Sequence, residues 1–249
     1  MLLQMMLLLL LSEMTEAGHY LIWLPFCSKS VKIGVMEVGY ELASRGHEVT
    51  VVSPFNNKKE VERITEIVIQ SEYEEFSARA TEDMLESRDN TGVPVSAIVE
   101  ISIVNNKNAL TSPEVTKIIE QKHVDVVIVN PSFGNEAGYY VAHKKNVSLV
   151  LFITTPFSFP WASSAVGDPI NPSYIPILVT GYSQEMSFGQ RVINTILTGV
   201  YTFIFRDLYS LPKVHSMLSN VFPEDDIPHI NHLNTVHSSS DQPWQPIPR

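Results

Sequence analysis

Residues 20–54, YLIWLPFCSKSVKIGVMEVGYELASRGHEVTVVSP, constrain the fold of this 249-residue chain more than any other stretch. An apolar run at 20–24 leads into a short loop holding Pro25 and the serines Ser28 and Ser30. Apolar and small residues then recur at helical spacing: Ile33, Met36, Gly39 and Ala43, with Val35, Val38 and Leu42 alongside. Residues three and four apart share one helix face, so this pattern reads as a helix. Arg45-Gly46-His47 ends it, because glycine past the last turn adopts the left-handed conformation that a C-cap needs. Residues 49–52 are a β-branched strand closed by Pro54. Strand, loop, helix and strand form one βαβ unit. Such units build parallel sheets that bind ligands outside the carboxyl ends of their strands. The loop at 25–30 is therefore where chemistry is expected.

The alternation continues along the chain. Residues 64–70 read as a third strand, and 72–90 as a charged loop with short helices. Residues 95–104 are apolar without a period that separates helix from strand. Ser112-Pro113-Glu114 starts a helix to about residue 122, with Ser as N-cap and Pro in the first turn. Residues 124–129 form a continuous β-branched run, the pattern of a strand buried on both faces. Asn135 opens a helix through His143, and 148–153 is the next buried strand. A long shaped loop, rich in Pro, Ser and aromatics, occupies 154–182. Residues 186–211 are helical with Ser187 as cap, and from Pro223 onward five prolines mark a connector. No internal repeat appears. The reading is one doubly wound α/β domain on a parallel sheet.

Composition narrows the function. With 17 basic against 27 acidic residues the formal charge is −10, and no basic stripe is present, so no nucleic-acid partner is expected. The single cysteine, Cys27, excludes an intrachain disulfide framework. It is either a reactive thiol or a small buried hydrophobe; only Lys29 is cationic near it in sequence, which favours the second. The first residues hold an apolar run of about eleven, too short for a membrane span but suited to a signal peptide. Small residues near Ala17 suit cleavage, so 1–17 is read as a signal peptide delivering the chain to the endoplasmic reticulum lumen or secretory pathway. Asn146-Val147-Ser148 is a glycosylation sequon, while Asn171-Pro172-Ser173 is blocked by its proline. The apolar stretch 192–205 is too short to span a membrane and is followed by Arg206-Asp207.

Four segments in order carry a family resemblance: PFCSKS with RGHEVTVVSP, then VDVVIVNPSFGNEAG at 124–138, VGDPINPSYIP at 166–176 and MSFGQRVINT at 186–195. Together they resemble the amino-terminal half of the UDP-glycosyltransferases, the insect enzymes in particular, over residues 18–249. The resemblance implies a Rossmann-like sheet, the N-terminal domain of a GT-B fold. It assigns 18–222 to an acceptor-binding domain and 223–249 to a proline-rich linker. In the family, that linker leads to a second Rossmann-like domain that binds the UDP-sugar, then to a membrane anchor. No Gly-rich phosphate loop, HGG-type segment or donor-type Asp-Gln pair is seen, and Asp241-Gln242 lacks that context. No cofactor is therefore expected on this chain, with the UDP-sugar a co-substrate of the full-length enzyme and an anchor only in a longer form. The implied partners are a small lipophilic aglycone and other family members.

The resemblance also implies a catalytic dyad, in which a histidine takes the acceptor proton and an aspartate orients its imidazole. An alcohol is a poor nucleophile until a base removes its proton, and the carboxylate stabilises the imidazolium that forms. Here the histidine position falls on Val31 and the aspartate position on Asn130. Loss of a general base costs about 10²- to 10⁴-fold in rate. Loss of the donor domain removes a proximity advantage of roughly 7–11 kcal/mol. Transfer by the isolated chain is therefore not expected.

Other groups carry weaker signals. His47 reads as structural, His19 has no partner in sequence, and His229, His232 and His237 have a spacing that suits metal but a linker composition that does not. Glu37 and Glu136 are distant alternatives for a base, with exposed or capping roles as the default. Phe152, Phe157, Phe159 and Trp161, with Thr154, Thr155 and Pro156, follow a strand end and suit an apolar acceptor pocket. Phe26, Ser30 and Phe133 would face the same crevice. Ordinary packing of a long loop is the equal alternative. A catalytically silent protein that binds lipophilic ligands or pairs with active family members is the second functional reading. An unrelated nucleotide-binding domain is a third, without a phosphate-binding glycine loop to support it.

Overall fold

Five strands form one wholly parallel sheet in the computed structural model, which describes residues 17–57, 60–71, 95–131, 134–154, 171–177 and 180–233. They are β1 (His19–Trp23), β2 (Glu48–Ser53), β3 (Ile64–Val68), β4 (Val126–Val129) and β5 (Ser148–Leu151), in the order β3-β2-β1-β4-β5. Parallel neighbours need crossover connections, which the helices provide. Trp23 pairs with Val52 on one side and with Val129 on the other, so the order reverses beside β1. Ligands of doubly wound folds bind at such a switch point. The expected α/β class is borne out.

Period-two alternation divides the core between the two faces of the sheet. Leu21, Trp23, Val127 and Val129 pack with Tyr139, Leu211 and Leu218 on one face. Ile22, Val49, Val51 and Ile128 pack with Val35 and Met36 on the other. The second face is covered by α1 (Lys29–Ser44), whose N-cap Ser28 accepts the Val31 N–H. The helix gives way at Gly46, which has φ +92°, as its sequence requires. One expectation fails here: Ile33 is 64% exposed, whereas Lys32 is buried at 2%. The lysine holds the inward position because its Nζ donates to the Glu66 carboxylate at 2.6 Å and to the Phe55 carbonyl. A buried ammonium is tolerable only when paired and hydrogen-bonded in this way.

The undecided stretch from residue 95 lies in a helix, α2 (Val95–Thr111), followed by α3 (Pro113–Gln121) with Ser112 as its N-cap. After β4 comes α4 (Ala137–Lys145). β5 is not the strand buried on both faces that its composition suggests. It ends the sheet, and Ser148 and Val150 are exposed. α5 (Phe188–Gly199) opens with a capping box between Ser187 and Gln190. A π-helical segment, Val200–Ser210, joins it to α6 (Leu211–Val221), so the helical run passes the stop expected at 211. It continues because Leu211, Val214, Met217 and Leu218 extend the buried stripe, with Pro212 in the first turn, where a missing N–H costs least. Beyond Pro223 the chain packs onto the domain through Ile227 and through Ile230 and Leu233 of α7 (Ile230–Leu233).

Candidate functional site

Two chain segments meet at the switch point: the exit from β1 leading into the first turn of α1, and the exit from β4 leading toward α4. Leu24, Phe26 and Cys27 leave β1 buried. The backbone of Phe26 is held on both polar groups by one side chain: its N–H donates to Asn135 Oδ1 at 3.1 Å, and Asn135 Nδ2 donates to its carbonyl at 2.7 Å. Asn105 Nδ2 donates to the Pro25 carbonyl at 3.2 Å and to Ser71 Oγ at 2.8 Å. Asn106 Oδ1 accepts from Trp23 Nε1 at 3.0 Å. Buried polar groups must be paired: Asn135 and Asn105 serve the loop backbone where it has no strand neighbour, and Asn106 serves the Trp23 indole. Sequence reasoning missed all three; the available signal was two adjacent asparagines inside an apolar helical stretch. α4 lies so close to the sheet that a Cβ on Gly138 would meet Trp23 Cδ1 at 2.6 Å and Val129 Cγ2 at 2.7 Å.

Val31 and Asn130, the two positions of the implied dyad, occupy the first turn of α1 and the exit of β4. The Val31 N–H donates to Ser28 Oγ at 3.3 Å, and its half-buried side chain packs against the apolar cluster beneath α1. It offers no atom that accepts a proton. Asn130 is buried and donates from Nδ2 to the Phe152 carbonyl and to Thr154 Oγ1, each at 3.0 Å. Neither position holds an ionisable group.

Residues 18–235 match the sequence profile of the family described as UDP-glucoronosyl and UDP-glucosyl transferase. The chain belongs to this family. Among its relatives, UDP-glucosyltransferase 2 of Dactylopius coccus is 29% identical over 222 residues, covering 83% of this chain and 41% of that protein. UDP-glucuronosyltransferase 2B9 of Macaca fascicularis is 25% identical with the same coverage of each. UDP-glucuronosyltransferase 1A6 of Homo sapiens is 26% identical, over 74% of this chain and 36% of its own length. The chain thus spans about two fifths of the length of the curated relatives it matches. The parallel sheet with its flanking helices is the Rossmann-like part of this transferase family's GT-B fold.

The remaining candidate residues are distributed unevenly. Phe26 is buried, while Ser30 is exposed and shares a hydrogen bond with Ser28 Oγ at 2.8 Å. Phe133, Thr155, Phe157, Phe159 and Trp161 lie outside the described residues. Asn146 is the exposed left-handed C-cap of α4, with φ 52° and ψ 49°. Cys27 is a buried hydrophobe: burial pushes its thiol up to about 12, against a smaller opposing pull from Lys32. Glu37 is exposed; Glu136 is buried and accepts the Gly134 N–H at 2.7 Å. Burial drives the Tyr139 hydroxyl well above its ordinary range, and the Glu136 charge adds to that. A transferase base is not assembled from these groups.

Three histidine readings can be judged. His47 is structural, its Nδ1 accepting the Gly18 N–H at 3.1 Å and its ring meeting Tyr20 edge-on at 5.2 Å. His19 does have partners: Nδ1 lies 2.7 Å from the His123 carbonyl and Nε2 lies 2.8 Å from Thr50 Oγ1. A carbonyl only accepts, so Nδ1 carries the proton, and in the neutral ring Nε2 accepts from the threonine. His19 and His123 also sit beside Asp125, whose carboxyl the His19 N–H holds below its usual range. The His229 and His232 rings lie 5.6 Å apart and tilted by 44°, His237 lies outside the described residues, and among those described no group of three could hold a metal. No described helix is long and apolar enough to cross a membrane.

Proposed function

We propose that this chain is the acceptor-binding part of a UDP-glycosyltransferase acting on small lipophilic acceptors, and that by itself it does not transfer sugar. The observation behind the reading is the switch point itself, where the buried loop after β1 lies beside the exit of β4 and the first turn of α1. An apolar wall with a few fixed hydrogen-bonding groups suits an aglycone. In the two-domain fold of the family, the UDP-sugar is held opposite these strand ends by the second domain. Transfer breaks the bond from the anomeric carbon to the UDP oxygen and forms one to the acceptor oxygen, whose proton must leave. Val31 cannot take that proton, and Asn130 cannot neutralise an imidazolium. Acceptors that are already ionised would suffer least, because they need no base.

The same two residues favour a second reading, a catalytically silent family member that binds lipophilic ligands or pairs with active relatives. Entry into the secretory pathway through a leader at 1–17 and a glycan on the exposed Asn146 belong to either reading.

Titration calorimetry of the chain with an apolar phenol such as 1-naphthol, and separately with UDP, tests the acceptor assignment. Weak heat of binding with the phenol and none with UDP is the expected result. Micromolar UDP binding without phenol binding would reject it. Fusion to a donor domain from an active relative separates the two readings. Turnover of acidic phenols but not of alcohols supports the transferase, and no turnover of either supports the silent protein.

A further inference from the structure

β4 and β5 end together at the register pair Val129–Leu151, and the Phe152 N–H still donates to the Val129 carbonyl at 2.9 Å. Past that point a side chain continues the ladder. Asn130 Nδ2 donates to the Phe152 carbonyl and to Thr154 Oγ1, both at 3.0 Å, from a position only 3% exposed. The carbonyl can only accept, so the amide nitrogen occupies this side of the group. Thr154 in turn places its methyl 3.6 Å from where a Cβ on Gly34 would lie, one turn along α1 from Val31. The exit of β5 is thereby tied across the exit of β4 and onto the opening turns of α1.

A carboxylate cannot make the same connection. When ionised it is an acceptor only, so it would oppose the Phe152 carbonyl oxygen. Thr154 could rotate its hydroxyl to donate, which leaves one contact of two. We propose that Asn130 is a positioning residue whose amide clasps the chain leaving β5 over α1, and that aspartate cannot replace it there. The clasp stands on this geometry; its effect on ligand binding rests on the acceptor-pocket reading, since the clasped chain leads directly into the aromatic loop.

A buried carboxyl facing a carbonyl oxygen is favoured in its protonated form, which can donate. Its folded pKa would lie above the unfolded value of about 3.9. The destabilisation therefore grows as pH rises between the unfolded and folded pKa values and is complete above the latter. Residues 126–131 and 148–154 contain no ionisable side chain. On the surrounding elements the ionisable groups are Lys29, Lys32, Glu37, Tyr40 and Glu41 of α1, Cys27 before it, His19 and Tyr20 of β1, Glu136 before α4, and Tyr139, Tyr140, His143, Lys144 and Lys145 within it. Lys32 is bound to Glu66, and Glu136 holds the Gly134 N–H.

Thermal unfolding of the full chain at pH 5 and pH 8, with 1-naphthol titrations in parallel, tests the proposal. Asn130→Asp should lower Tm by roughly 4–10 °C at pH 8 and regain at least half of that at pH 5. Asn130→Ala should lose a similar amount equally at both pH values, and Thr154→Val less than either. Asn130→Asp with an unchanged Tm at pH 8, or with the same loss at both pH values, overturns the clasp. If Asn130→Asp does not fold at all, Thr154 decides: Thr154→Ser, which keeps the hydroxyl and loses only the methyl, should melt closer to wild type than Thr154→Val, and equality of Val with wild type overturns it. A wild-type chain that binds no phenol while the Tm pattern holds upholds the clasp and removes only the pocket reading.

Discussion

Cys27 shows how far burial alone sets a residue's chemistry. Its sequence surroundings left a reactive thiol open, but burial raises the pKa to about 12, and the opposing effect of Lys32 is smaller. At pH 8 its thiolate population is therefore roughly a thousandfold below that of a free cysteine, since reactivity follows the thiolate. Ellman's reagent should leave the native chain unlabelled for hours and label one thiol at once in denaturant. Rapid labelling of the folded chain would show that the loop after β1 opens readily. Lys32 and Ile33 carry the complementary lesson. Hydropathy puts the isoleucine inside, yet the lysine is the buried one, because Glu66 and the Phe55 carbonyl await its ammonium. His19 is similar, with Thr50 and His123 as partners that are remote in sequence.

Two helix starts, at Ser112 and Ser187, were legible as caps in the sequence, while the cap at Ser28 and the start of α2 were not. Ser28, Ser112 and Ser187 all cap, each accepting an N–H three residues on, a relation contained within one turn. The end of the last long helix was not legible, because its π-helical segment and the buried face of α6 depend on packing with the rest of the domain. Nor was the loop that α5 anchors. Buried Asn194 accepts the Ile177 N–H at 2.9 Å and donates to the Pro172 and Ile175 carbonyls at 2.8 Å each. Asn194→Ala should cost about 2–4 kcal/mol in urea unfolding, because it leaves buried backbone groups unpaired. A loss under about 0.5 kcal/mol, within the range of neutral surface changes, would mean that water replaces the amide without penalty.

For the whole molecule, the segment past Pro223 is the sharpest test. Five prolines from Pro223 onward read as a connector; its described part, to Leu233, buries Ile227, Ile230 and Leu233 in the main core, and Asp225 bonds to Tyr140 and Lys144 of α4. Burying such side chains is worth about 1.5–3 kcal/mol each, and a whole domain holds only about 5–15 kcal/mol. A chain ending at Phe222 should therefore melt at least about 10 °C lower by circular dichroism than one ending at Asn234, or fail to fold. Equal melting would place this segment outside the cooperative unit. By itself the sequence determined most of the alternation of strands and helices, the caps at Ser112 and Ser187, the family, and the absence of an ionisable group at Val31 and Asn130. These rest on residue identities and on relations within a few positions, which a linear pattern carries in full. Tertiary structure alone decided the strand order, the burial of Lys32, the amides that hold the loop after β1 and the packing of Ile227, Ile230 and Leu233. Each of those depends on a polar or apolar group finding its partner far along the chain, as Asn135 finds Phe26 across 109 positions.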